Sequence, residues 1–268
     1  MYLDLNNLRM FIAERSSASS STLLFLHGFP LNHSMWRQQV QWFGASYHCL
    51  APDLRGHGGT LDAGSPLTTD QVSIDLMADD LIAVLDQLLP RGKKVTVCGL
   101  SLGGYIAFAL WRKAPQRFER LILADTKATP DTAEARERRA AQAELVRTNG
   151  PRAVSDGMLD VLLAPSNRDR AIGMEVRRMI KSSPSQGVIN TLRALAQRPD
   201  SVPTLATINV PTLIVVGELD KLTPLSDAEA MYQQLPSHKT LTVIPAAGHL
   251  SPLENPDAFN RAMLGFLQ

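Results

Sequence analysis

Short runs of apolar residues alternate with longer stretches whose apolar positions recur at helical spacing, and the alternation runs through most of the chain. Such a pattern predicts an α/β fold, a mostly parallel β-sheet flanked by helices. The strand-length runs are Thr22–Leu26, Tyr47–Pro52, Lys94–Cys98, Leu121–Ala124, Thr212–Val216 and Leu241–Ile244. Leu121-Ile122-Leu123-Ala124 and Leu213-Ile214-Val215-Val216 are apolar at every position, as strands covered on both faces must be. Residues 1–15 predict a lead-in hairpin, with the serine-rich stretch 16–21 as its solvated turn.

The helices carry their own punctuation. Thr68 with Gln71 offers a capping box before a helix through Leu76, Leu81 and Leu85 to Pro90. From Ser101 to Lys113, residues Leu102, Tyr105, Ile106, Ala109 and Leu110 share one face. Arg112 and Lys113 sit in its last turn, where the helix dipole favours cations, and Pro115 stops it. A final helix spans about Pro256 to Leu267.

One segment breaks the alternation. From about Thr129 to Pro203 there is no convincing strand, only helical stretches such as Thr132–Arg147, Arg168–Ile180 and Ser185–Gln197. It is too long for an ordinary loop. It reads as a helical cap (129–203) inserted into a core made of 1–128 and 204–268. The segment contains no aromatic residue but has Met158, Met174 and Met179, so the cap is aliphatic and Met-containing. Its pairs Arg138-Arg139 and Arg177-Arg178 are interleaved with glutamates and predict solvated helix faces.

Composition narrows the function classes. With 27 Lys and Arg against 26 Asp and Glu, the formal charge of +1 offers no electrostatic reason for nucleic-acid or anionic-membrane partners. No window approaches the roughly 18 apolar residues of a membrane span. The opening Met1-Tyr2-Leu3-Asp4-Leu5 lacks the basic and apolar regions of a secretory signal. Cys49 and Cys98 each fall in a predicted buried strand and read as free thiols in a reducing cytoplasm rather than a disulfide. The expectation is a soluble cytoplasmic α/β protein.

Gly99-Leu100-Ser101-Leu102-Gly103 fits the nucleophile elbow G-x-S-x-G. Its context fits too, because Val95-Thr96-Val97-Cys98 reads as a strand before it and a helix follows at once. The serine must project from a tight turn, and flanking glycines let the chain close there without Cβ clashes. The competing reading is a Gly-rich turn with a serine N-cap. Serine is a weak nucleophile at neutral pH and needs a base, and histidine titrates in the right range. Chain order asks for a base after the last strand, which selects His249 in Gly248-His249. His238 reads as a surface-turn residue. His27, His33, His48 and His57 read as structural.

The carboxylate that orients the imidazole has three candidates. Asp220 follows Leu213–Val216 at the carboxyl end of a strand, where open α/β sheets place their sites. Asp125 follows Leu121–Ala124, and Glu218 lies two residues before Asp220.

Together, His27-Gly28-Phe29-Pro30, Asp53-Leu54-Arg55-Gly56-His57-Gly58, the Ser101 elbow, Gly217-Glu218-Leu219-Asp220 and Gly248-His249 resemble the α/β-hydrolase superfamily over almost the whole chain. The nearest likeness is to small bacterial serine esterases, enol-lactonases and cofactor-free haloperoxidases (perhydrolases). That resemblance implies the α/β-hydrolase fold, with an eight-stranded twisted sheet and a cap inserted after the sixth strand. It also implies a triad in the order Ser101, Asp220, His249. The oxyanion donors it implies are the backbone N–H groups of Phe29 and Leu102. The Phe29 ring could line the acyl pocket or belong to the core, and Trp36 could reach the pocket rim or pack inside. One departure is Gly59-Thr60, where relatives often place a polar residue and serine; only a local effect on loop packing is expected.

The leading expectation is a carboxylic-ester hydrolase acting on a small-molecule ester or lactone through an acyl-enzyme. Enol-lactone hydrolysis on a dicarboxylate would need a cation in the pocket, supplied by Arg55 or a cap arginine. Perhydrolysis and C–C bond hydrolysis use the same triad. A non-catalytic hydrolase-fold binding protein is the reading of another class. The elbow supplies serine rather than the carboxylate that dehalogenases and epoxide hydrolases of this fold need. No histidine pair at metal-ligand spacing and no phosphate or dinucleotide loop appears, so neither metal nor cofactor is expected.

Overall fold

The computed structural model describes residues 1–5, 7–16, 21–62, 71–236 and 238–268, with the side chain of residue 156 also outside the description. The strands are β1 (Tyr2–Leu5), β2 (Leu8–Arg15), β3 (Thr22–Leu26), β4 (His48–Pro52), β5 (Leu61–Asp62), β6 (Val95–Leu100), β7 (Phe118–Ala124), β8 (Thr212–Gly217) and β9 (Lys239–Ile244). Among the described residues they form one sheet in the order β1-β2-β4-β3-β6-β7-β8-β9, with β5 pairing β2. The ladders are parallel from β4 through β9, whereas β1, β2 and β5 join antiparallel. The lead-in hairpin of the sequence is β1 paired with β2. The serine-rich turn after it and the Thr68 cap fall largely outside the described residues.

The central strands are apolar throughout because both of their faces are covered. Alternate residues serve opposite sides, as the two-residue period of a strand demands. Leu24, Leu26, Val97, Leu121, Leu123, Ile214 and Val216 meet α2 (Ile74–Leu88), α3 (Leu102–Lys113) and α9 (Leu225–Gln234). Leu23, Phe25, Cys98, Ile122, Leu213 and Val215 meet α1 (Arg37–Phe43) and α11 (Pro256–Leu267). Trp36 belongs to this second core, fully buried between Phe25 and Phe259, and does not line the cavity described below. Cys49 and Cys98 are buried free thiols, and burial pushes the Cys49 pKa up to about 12.

Several elements run past their sequence-predicted limits. β6 continues through Gly99-Leu100, and β7 begins at Phe118. The half-exposed Glu119 and Arg120 hide that start in a run that looks too polar. Ser73 caps α2 by accepting the Leu76 N–H (3.0 Å). Between β7 and β8 lie α4 (Ala133–Asn149), α5 (Arg152–Leu162), α6 (Ala171–Ser182), α7 (Ser185–Ala196) and the short α8 (Val202–Leu205). Their buried residues, such as Val146, Leu159, Val176, Val188 and Leu192, continue the second core beyond the sheet edge. Ser201 N–H donates to Ala128 O (2.9 Å), so the two ends of this helical segment meet. Among the described residues no helix is long and apolar enough to cross a membrane. β3 is followed by β4 on one side and flanked by β6 on the other, so the chain switches direction at the carboxyl ends of β3 and β6. Open α/β sheets form their clefts at that crevice. Ser101 follows β6 at this point.

Candidate active site

Ser101 occupies a backbone conformation that L-residues rarely adopt, with φ 52° and ψ −110°. Such a residue costs about 1–3 kcal/mol and persists only when its surroundings over-determine it. Here Ser101 N–H donates to Ala124 O (3.0 Å), and Ser101 O accepts from Gly104 N–H (2.9 Å) and Thr126 Oγ1 (2.9 Å). The glycines leave room for the turn. A Cβ on Gly99 would lie 2.4 Å from Gly103 O, and one on Gly103 would lie 2.3 Å from Leu26 O. Ser101 makes no side-chain cap bond to α3, so its hydroxyl is not spent as an N-cap. It lines a cavity of about 220 Å³ with Phe29, Leu102 and His249.

His249 comes from the loop after β9, 148 positions beyond the serine, and is almost fully buried. Its Nδ1 lies 2.8 Å from Asp220 Oδ2. An ionised carboxylate only accepts, so Nδ1 carries the proton and Nε2 keeps the lone pair. Asp220 is itself held: Leu222 N–H (2.8 Å) and Thr223 N–H (3.1 Å) donate to Oδ1, and Thr223 Oγ1 donates to Oδ2 (2.6 Å). Burial would raise the Asp220 pKa, but the His249 charge and these hydrogen bonds outweigh it and hold the carboxyl below its usual range. Burial likewise pulls the His249 pKa down, and the Asp220 charge and hydrogen bond overcome that and raise it above the ordinary imidazole value.

The rival carboxylates are engaged elsewhere. Asp125 is fully buried, and accepts from Gly217 N–H (2.7 Å) and from the N–H and hydroxyl of Ser251. Burial, reinforced by the Asp220 charge, pushes its pKa well up. It ties together the ends of β7 and β8 and the segment after His249. Glu218 is exposed and accepts the Ala246 N–H (2.9 Å).

Phe29 lies beside the elbow, since a Cβ on Gly28 would be 3.6 Å from the Ser101 Cβ. Among the described residues, neither Phe29 N–H nor Leu102 N–H has a backbone or side-chain acceptor. Leu102 is the first residue of α3, where the dipole adds to its donor strength. The Phe29 ring does both things expected of it, lining the cavity and packing against both cores.

The other histidines do not line the cavity. His27 bonds Gly28 O and Leu54 N–H, and His57 bonds Arg55 O. His33 reaches Asp53 (2.8 Å) and His48 reaches Glu14 (2.8 Å). His238 is an exposed turn residue with φ 58°. Thr60 stitches its loop to β2, accepting Phe11 N–H (3.0 Å) and donating to Asp53 O (2.6 Å), which is the local effect expected there.

The two sources offered for a pocket cation, Arg55 and a cap arginine, divide in the structure. Arg55 does not reach the cavity: it is buried in a two-pronged pair with Asp80 (2.8 and 2.6 Å) and also touches Asn7 (3.2 Å). Arg138 and Arg139 line the cavity rather than sitting only on a solvated face. The pattern of one helix cannot show this, because it depends on how α4 is set against the sheet edge.

Some positions are invisible in the motifs. Thr223 braces Asp220, and an Asp followed three residues later by Thr after a strand is the Asx-turn signal that could have found it. Glu254 accepts from Gly248 N–H (2.9 Å), Leu250 N–H (3.3 Å), Ala164 N–H (2.7 Å) and Asn167 Nδ2 (2.9 Å). It thereby clamps the His249 loop to the turn after α5, and His249 N–H donates to Leu162 O (3.0 Å) in the same contact. Nothing in the sequence marks that partnership, which is entirely tertiary. Among the described residues no group of three or more His, Cys, Asp or Glu side chains is placed to hold a metal ion.

Comparison with known proteins gives the same architecture. The chain is 31% identical over 249 residues to 3-oxoadipate enol-lactonase 2 of Acinetobacter baylyi, covering 92% of this chain and 88% of that protein. A malate-bound thermophilic esterase from Thermogutta terrifontis superposes with a TM-score of 0.91 at 34% identity, over 100% of this chain and 98% of the other. The enol-lactonase from Burkholderia xenovorans LB400 shares the fold with a TM-score of 0.89, at 24% identity over 100% and 99% of the two chains. A family model described as "Alpha/beta hydrolase family" matches residues 23–262, from the second residue of β3 to within α11. That span contains the elbow, the Asp220 turn and the His249 loop, and on this match the chain belongs to the alpha/beta hydrolase family.

Proposed function

We propose that the protein hydrolyses carboxylic esters or lactones through an acyl-enzyme on Ser101. The observation that carries the reading is a strained, uncapped serine sharing one cavity with an imidazole whose Nδ1 is held by Asp220. His249 Nε2 takes the Ser101 proton as Oγ attacks the acyl carbon. The developing oxyanion is received by the N–H groups of Phe29 and Leu102. His249 then gives the proton to the departing alkoxide, and water activated by the same nitrogen releases the acid. Asp220 holds the tautomer and stabilises the imidazolium. On this reading α4 to α7 act as a cap, an inserted unit over 129–203 that closes the cavity above the strand ends.

Lactone opening uses the same steps, with the alkoxide staying on the acyl-enzyme's own chain. The 31% identity to an enol-lactonase favours lactones as the second substrate form. The test is a panel of acyl esters and lactones run beside labelling with a serine-directed phosphonate. Labelling of the wild type, its loss in Ser101→Ala and a fall in kcat of about 10⁴–10⁶ are expected. A Ser101→Ala variant with undiminished turnover, or a wild type that binds but never turns over or labels, would overturn the reading in favour of a binding protein.

A further inference from the structure

The corner between α6 and α7 is seated on the loop after β3 that carries Phe29. Ser183, in the turn joining the two helices, is buried, and its Oγ lies 2.9 Å from Pro30 O and 3.1 Å from Met179 O. A serine hydroxyl has one proton and donates to one carbonyl at a time. Met179 O is already served by Ser182 Oγ (2.9 Å), whereas among the described residues Pro30 O has no other donor. Donation to Pro30 O is therefore the arrangement that leaves neither carbonyl unpaired. That bond joins positions 153 apart and exists only while the corner is seated.

The same corner makes a second contact. Gly187, in the first turn of α7, packs backbone to backbone against Gly56 in the loop after β4. A Cβ on Gly56 would lie 2.7 Å from Gly187 Cα, and one on Gly187 would overlap the Gly56 carbonyl. His57 follows Gly56 and meets the Phe29 ring edge to face, with centroids 6.0 Å apart. The corner thus reaches Phe29 by two routes, through Pro30 and through the Gly56-His57 turn. On the other side, Gly28 O accepts from His27 Nδ1 (3.0 Å) and Leu31 N–H (2.9 Å). A peptide group is planar, so holding that carbonyl sets the direction of Phe29 N–H. Its position relative to Ser101 depends on the rest of the loop, where Pro30 carries the tie to the corner.

We infer that Ser183 is a positioning residue for the oxyanion hole: by holding Pro30 O, it makes the α6–α7 corner set where Phe29 N–H stands relative to Ser101. The inference rests on the reading of Phe29 and Leu102 as oxyanion donors and extends it to the inserted helices. These helices then act on the chemical step as well as bounding the cavity. Donors stabilise an oxyanion at about 2.7–3.1 Å, and small displacements cost rate. Loosening the corner therefore weakens transition-state binding and leaves ground-state binding nearly unchanged.

The test follows Ser183→Ala and Gly187→Ala by ester turnover, by inhibition with an alkylboronic acid and by amide hydrogen exchange. The boronic acid becomes tetrahedral on Ser101 Oγ and presents an oxygen to the two N–H groups, so its affinity reports the oxyanion hole. Loss of one neutral hydrogen bond corresponds to about 3- to 10-fold. In Ser183→Ala, kcat and boronate affinity should both fall by that factor, with KM changed less than about twofold. Gly187→Ala keeps the hydroxyl but pushes the corner off Gly56, and should give the same split. Ser183→Thr, which restores the hydroxyl, should recover kcat. Exchange at Leu31 N–H should quicken in both alanine variants, and thermal unfolding checks that each is folded. Folded alanine variants with wild-type kcat and boronate affinity would overturn the brace while leaving the serine mechanism intact. A rise in KM with kcat unchanged would overturn it as well, because Ser183 would then only shape the cavity. If the wild type neither turns over nor binds the boronate, yet Leu31 exchange quickens in the variants, the mechanism fails and the brace on the loop stands.

Discussion

Two loop regions at the carboxyl edge of the sheet each bury histidine, and they do opposite things with it. In the loops after β3 and β4, His27 and His57 lie edge to face with centroids 5.2 Å apart, and neither is exposed. Each has Nδ1 on a backbone carbonyl, and neither ring is hydrogen-bonded to a carboxylate, although the Asp53 charge opposes burial at both. Burial therefore dominates and lowers their pKa values to about 4 and about 3. In the loop after β9, His249 is as deeply buried, yet its pKa is raised because Asp220 lies 2.8 Å away. Burial without a bonded carboxylate leaves an imidazole a neutral scaffold. Burial with a carboxylate in contact makes a base whose cation the protein tolerates.

Removing that carboxylate is the strongest way to break the contrast. Asp220→Asn should lower kcat by about 10⁴, as loss of the orienting acid does in serine triads. The pH profile should change as well. Protonated His249 cannot accept the serine proton, and its raised pKa places the wild-type fall in kcat/KM above the ordinary value of about 6.5 as the pH drops. Without Asp220 burial is opposed only by the charges of Asp125 and Glu254, so the acid limb of the variant should move to lower pH. A limb that stays in place would show that Asp220 is not what distinguishes the two histidine environments.

A smaller effect sharpens the comparison through position. Glu254→Gln removes the charged acceptor that holds Gly248, Leu250 and the turn after α5 together. Misplacing His249 by this route should cost about 10- to 10²-fold in kcat, with KM changed less. The rate of phosphonate labelling should fall in parallel. Unchanged labelling would mean that the His249 loop holds its geometry without the clamp.

The smallest effect concerns stability. His27 and His57 have depressed folded-state pKa values, so their contribution is complete above about pH 6.5 and is lost as the unfolded chain takes up protons below it. For His27 the loss reaches about 3 kcal/mol near pH 4, at about 1.4 kcal/mol per unit. His249 works in the opposite sense, contributing below its unfolded value and less as pH rises through its raised one. Urea unfolding at pH 4.5 and pH 7 should therefore show a net loss at the lower pH, and His57→Leu should flatten it. An identical slope in that variant would remove His57 from the account.

Much of the fold and of the candidate site is legible in the linear pattern. The apolar runs at 22–26, 121–124 and 212–216 can only be strands covered on both faces, and the strand, turn and helix around Ser101 single it out. His249 follows from chain order. What stays hidden shares a single cause. Phe118–Arg120 looks too polar to begin a strand, because the exposure of its side chains is set by neighbouring helices. Arg55 and Arg138 look interchangeable as pocket cations, because a guanidinium's partner is not written in its local spacing.

The order of residues by itself determined the parallel sheet, the serine turn between β6 and α3, and the three candidate carboxylates after β7 and β8. Periodicity and turn chemistry are short-range, and a linear pattern carries them completely. Only the tertiary structure decided that Asp220 rather than Asp125 or Glu218 meets His249, that Glu254 clamps its loop, and that Arg138 faces the cavity while Arg55 is locked to Asp80. Those pairings join residues from separate strands and helices, and their energies depend on distance and burial that exist only once the strand ends have been brought together.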